Sequence, residues 1–151
     1  AKMQQAISMT RKTKSTILDA VKKTGLELRD LPYREGEIAT QIVFLLPTPE
    51  KASLFQKTAK EAGAGCSILS GNTWHYAKHW TTLREGAMYS RTRCPYDCPF
   101  VEEMPLYRPL EWDRTEKILS RAVMFGLNIV MDDARVEKLI AAIKAGAKAA
   151  L

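Results

Sequence analysis

Apolar residues return at broadly helical spacing over residues 2–24, at Ile7, Ile17, Leu18 and Val21, and Gly25 stands where such a helix stops. Leu26, Leu28 and the more distant Leu31, with charges between them, predict a first edge strand over residues 26–31, followed by a turn over 32–36. Residues 38–46, IATQIVFLL, are β-branched and aromatic and predict a strand that ends at Pro47. Thr48-Pro49-Glu50 then opens a helix: the threonine hydroxyl accepts from the unpaired amides of the first turn, and proline suits the first helical position. Leu54, Phe55, Ala59 and Ala62 supply its inward face and Gly63 its stop. Residues 65–69 predict a short strand. Residues 113–120 hold a helical turn presenting Leu119, and residues 123–129 a strand with Gly126 as a bulge or close-approach point. Asp132 and Asp133 cap and charge the start of a last helix over 134–149, whose predicted buried face is Val136, Leu139, Ile140 and Ile143.

Helices and strands mix without a regular strand–helix–strand repeat. The expected fold class is therefore α+β, a small, largely antiparallel sheet with helices on one face, in one domain of 151 residues. Residues 1–25 form a linker helix in this scheme. Residues 72–116 form a long loop holding Trp74, Tyr76, Trp80, Tyr89, Tyr96, Phe100, Tyr107 and Trp112. A loop of that length is functional or disordered, and its aromatic content argues for an ordered one packed against something.

Composition narrows the classes. A hydrophobic fraction of 46% and a charged fraction of 26% are ordinary for a globular domain. No apolar run approaches the roughly 18 residues of a membrane span, and the opening AKMQQAISMTRKTK has no apolar signal core. A cytoplasmic protein, or a piece of one, is the expectation. The net charge of +6 comes from 23 basic and 17 acidic residues. The basic residues are scattered, the densest being Arg11, Lys12, Lys14, Lys22 and Lys23 along the first helix. That suits a solvated helix face better than a nucleic-acid partner.

Chemistry-bearing residues gather in the long loop. His75 and His79, the two histidines, stand one turn apart if their segment is helical, with Trp74, Tyr76 and Trp80 as a wall for a small molecule; otherwise the rings pack the loop. His75, His79, Cys94 and Cys98 also make a zinc-type donor set with loosely finger-like spacing. A disulfide or two free thiols is the competing state of Cys94 and Cys98, and three cysteines argue against a disulfide framework. Lys78, Arg84, Arg91 and Arg93 either bind an anion or coat a solvated loop. Arg121 either sits at a strand mouth or pairs with Glu116 or Asp132. Glu102 and Glu103 read as surface charge, and Cys66 as a core residue.

Three stretches, in order, carry a family resemblance: GAGCSILSGNTWHYAKHW at 63–80, CPYDCPF at 94–100 and TEKILSRAVMFGLNIVMDDARVEKLIAAIKAG at 115–146. Together they resemble the C-terminal small domain of the DegT-type sugar aminotransferases, fold-type I enzymes, nearest the amino-octulosonate aminotransferase branch. The resemblance runs from about Ile7 to the end of the chain. It implies amino transfer from glutamate or glutamine to a keto sugar, a pyridoxal 5'-phosphate cofactor, a homodimer with sites at the subunit interface, and substrate-side roles for Trp74, His75, Tyr76, His79 and Arg121. The family's glycine-rich cofactor strand, ring-nitrogen aspartate and cofactor-bearing lysine belong to a large domain that this sequence does not include. The expectation is a segment inactive alone, with no catalytic residue of its own and no membrane partner. The alternative is a stand-alone binding or interaction module, stapled by zinc or gripping a partner through its aromatic loop.

Overall fold

A computed structural model describes residues 2–87, 99–100 and 112–151. Its chain runs α1 (Lys2–Val21), β1 (Glu27–Leu28), β2 (Gln41–Leu45), α2 (Pro49–Glu61), β3 (Ser67–Ile68), α3 (Thr81–Arg84), α4 (Asp113–Leu119), β4 (Ala122–Gly126) and α5 (Asp133–Ala150), with short 3₁₀ turns between. The four strands form one sheet in the order β1-β2-β4-β3, and every pairing is antiparallel. The architecture is α+β, as the sequence pattern implies.

The strand register sorts side chains between the two faces. Ile42 and Phe44 of β2 stand opposite Phe125 and Val123 of β4, and Leu46 and Leu127 extend the same apolar row. Onto this face pack Ile17 and Val21 of α1, Ala52, Phe55 and Ala59 of α2, and Leu139, Ile143 and Ala147 of α5. Phe55 is fully buried and meets Phe125 edge-on at 6.0 Å. A Cβ at Gly146 would lie 2.9 Å from the Phe55 ring. Glycine there lets α5 close onto α2 around that ring.

The elements depart from their sequence expectations for identifiable reasons. The strand expected over 38–46 begins only at Gln41, because Ala39 takes a left-handed backbone with φ of 68° and breaks the extension. That kink is pinned from α1: the Thr10 hydroxyl donates to the Ile38 carbonyl at 2.5 Å, and Lys14 Nζ donates to Glu37 Oε1 at 2.5 Å. Thr10 and Lys14 are both buried, so α1 carries a stripe of Thr10, Lys14, Ile17 and Val21, polar in its first half. On α2 the inward face is Ala52, Phe55 and Ala59. Leu54, one position off the stripe, and Ala62, the C-cap just beyond α2, face solvent. On α5 the face shifts toward small residues, Ala142, Gly146, Ala147 and Ala150, with Val136 and Ile140 only partly buried. Gly126 ends β4 with open space around it, so it is not a close-approach point. Thr48 and Asp132 cap α2 and α5 as expected, accepting from the amides of Lys51 and Arg135. Cys66 is half-buried against the core, and desolvation pushes its thiol up to about 11.

Candidate functional site

Asn72 organises the histidine-bearing segment. Its side-chain oxygen accepts from the amides of Trp74 at 3.0 Å and His75 at 2.9 Å, and its carbonyl accepts from the Tyr76 amide at 3.1 Å. This tight turn sends Tyr76 inward and leaves its two predecessors on the surface. Tyr76 is 3% exposed, whereas Trp74 is 82% exposed. The expected aromatic wall therefore does not form. Trp74, Tyr76 and Trp80 diverge, and Trp80 is held by its indole N–H donating to the Trp74 carbonyl at 3.1 Å. Nor is the segment a helix that stacks His75 on His79. A 3₁₀ turn covers Ala77–His79, and His79 Nε2 is 2.7 Å from the Ser70 carbonyl.

What the fold does assemble is a polar cluster on α4. The Tyr76 hydroxyl donates to Glu116 Oε2 at 2.8 Å, and Lys78 Nζ donates to the same oxygen at 2.9 Å. The Tyr76 ring meets His79 edge-on at 5.3 Å and Trp112 edge-on at 5.8 Å. The Lys78 bond, then the Tyr76 bond, hold the Glu116 carboxyl below its ordinary value, against the opposing effect of burial. Desolvation, then the bond to Glu116, pushes the Tyr76 phenol up. The cluster is thus a carboxylate with two donors already committed to it.

Glu116 also lines a cavity of about 460 Å³ between α4 and the β2–α2 corner, together with Thr48, Asp113, Lys117, Ser120 and Arg121. Its volume suits a small ligand. Its wall offers a guanidinium, an ammonium, the carboxylates of Asp113 and Glu116 and two hydroxyls, a mixed set of donors and acceptors suited to a hydroxylated ligand. Arg121 does not form the ion pair considered for it. Its Nη1 donates to the Leu46 carbonyl at 3.3 Å, Glu116 is taken by Lys78 and Tyr76, and Asp132 caps α5.

Of the five residues singled out from sequence, Tyr76 and His79 join one cluster, Arg121 lines the adjoining cavity, and Trp74 and His75 stand outside both. Glu116, the hub, entered the sequence reading only as a possible partner for Arg121. Forty positions separate it from Tyr76, and no local pattern links them. Lys78 pairs with Glu116, and Arg84 Nη1 donates to the Lys78 carbonyl at 3.0 Å, so neither is a free loop cation. Cys94, Cys98, Arg91, Arg93, Glu102 and Glu103 lie outside the described residues. Among the described residues, no group of three or more His, Cys, Asp or Glu is placed to hold a metal ion, and no helix is long and apolar enough to cross a membrane.

The fold and site define an α+β sheet domain with a tyrosine–carboxylate–lysine cluster beside a small cavity. No protein-family model matches the chain, and no curated protein matches it significantly.

Proposed function

We propose that this chain is the substrate-side small domain of a DegT-type, pyridoxal-phosphate-dependent sugar aminotransferase, nearest the amino-octulosonate branch. Its reaction moves an amino group from glutamate or glutamine to a keto sugar, in a homodimer whose large domain holds the cofactor. Beyond the sequence resemblance, one observation supports this reading. The first and last resembling stretches, far apart in the chain, fold into one unit. β3 pairs with β4 through Ser67 and Met124, and Tyr76 of the first stretch bonds Glu116 of the last. The cavity beside Glu116 carries donors and acceptors for a hydroxylated ligand.

The two lysines nearest the cavity do not fit the cofactor. Lys78 is ion-paired with Glu116, and Lys117 is exposed on α4. Neither offers the desolvated amine that a carbonyl cofactor needs. The part assigned to this chain is to present Arg121 and the Glu116 cluster to the sugar. Trp74 and Phe100, 82% and 92% exposed, are available for contact with a neighbouring domain.

The test is amino transfer by the enzyme containing both domains. Arg121→Ala is expected to raise the KM for the keto sugar at least tenfold, with a smaller change in kcat and an unchanged KM for the amino donor. Equal effects on both substrates, or none, contradict the assignment.

A further inference from the structure

Two cavities meet over one glycine floor where α2 and β4 end and α5 begins. One, of about 850 Å³, is lined by Lys57 and Lys60 of α2; the other, of about 520 Å³, by Arg135 and Lys138 of α5. Both include Gly63, Gly65 and Gly126, and neither is lined by any carboxylate. Gly63 has a φ of +93°, a left-handed conformation that favours glycine, and a Cβ there would lie 3.0 Å from Lys138 Nζ. The α5 ammonium therefore reaches across the floor toward the end of α2. Gln56 Nε2 fixes the other wall by donating to the Cys66 carbonyl at 2.8 Å.

The four cations are unneutralised within the described residues, where the two ion pairs are Lys14–Glu37 and Lys78–Glu116. None of the four side chains makes a hydrogen bond there either, although Glu61, Asp132, Asp133 and Glu137 are close in sequence. The fold thus brings two pairs, each local to one helix, to the same uncharged backbone floor. Like charges converging on one floor repel, and an anion seated among them converts repulsion into attraction. Guanidinium and ammonium groups flanking exposed backbone are suited to phosphate and carboxylate oxygens.

We infer that this groove binds a small polyanion, a ligand carrying at least two phosphate or carboxylate groups, one for each cation pair. The groove shares no lining residue with the cavity beside Glu116. The inference is independent of the aminotransferase proposal.

The experiment is an NMR titration of the full ¹⁵N-labelled chain at low ionic strength with pyrophosphate, citrate and orthophosphate. Saturable shifts are expected at the amides of Gly63, Gly65 and Gly126. Affinity for the better of pyrophosphate and citrate should exceed that for orthophosphate at least tenfold, and their order identifies the preferred anionic group. Lys60→Gln combined with Arg135→Gln should weaken that binding at least tenfold without moving the Tm of the unliganded protein. Linear, non-saturating shifts overturn the inference, as do shifts centred on Lys22 and Lys23 just after α1, or equal affinity for orthophosphate. The wild-type titration stands on its own should the double variant fold poorly.

Discussion

The helix-covered face of the sheet and the segment from Leu69 to Trp80 are both rich in large side chains, yet they are held in different ways. On the helical face, Phe44, Phe55 and Phe125 are buried among aliphatic side chains, and Gly146 lets α5 close on the Phe55 ring. Shape decides the arrangement. In the second region only Tyr76 is deeply buried, and a chain of hydrogen bonds sets its position, from Asn72 through the backbone to Glu116. One region is specified by packing and the other by polar partners. They should therefore respond differently to truncation and to pH.

The largest expected effect is on the packed side. Phe55→Ala removes a ring held between β4 and α5 and should destabilise the chain by about 3–5 kcal/mol in denaturant unfolding. A loss below about 1 kcal/mol would mean that the helices are not closed on it. Glu37→Ala tests the boundary between the two modes. It leaves the buried Lys14 ammonium without its partner, with a side chain only 8% exposed, and should cost about 1–3 kcal/mol. Lys14→Met combined with Glu37→Ala should recover part of that loss.

The smallest effect belongs to the polar region. Lys78 and Glu116 are 44% and 37% exposed, so Glu116→Gln should cost less than about 1 kcal/mol near neutral pH. Its signature is the pH dependence. The folded-state value of Glu116 lies below its ordinary 4.5. Its contribution is therefore present above the ordinary value and lost as pH falls through the folded value. The stability gap between wild type and Glu116→Gln should close on acidification through that window. A gap independent of pH would contradict the assigned bonds.

Apolar spacing made much of the packed region legible in the sequence. It located the cores of β2, β4 and all three long helices, and the caps at Thr48 and Asp132 marked two helix starts. Where it misplaced a face, a polar or small residue held the buried position. Thr10 and Lys14 fill the α1 stripe because Ile38 and Glu37 satisfy them. Ala142 and Gly146 sit inside because α2 comes close. The polar region was barely legible. Histidines and tryptophans attract notice in a sequence, but an Asn72 turn decides which of them goes inside, and a carboxylate forty residues away decides what Tyr76 meets. The groove of four cations was illegible for the same reason: α2 and α5 each bring two, and nothing along the chain links them.

The central claim, that this chain supplies the substrate side while another domain supplies the cofactor lysine, is tested most directly by borohydride reduction of the active two-domain enzyme with pyridoxal phosphate, followed by peptide mapping. The account expects a stoichiometric pyridoxyl-lysine in the large domain, with residues 1–151 unlabelled, in a preparation that transfers an amino group to a keto sugar. A stoichiometric adduct on Lys78, Lys117 or any other lysine of this chain would contradict it.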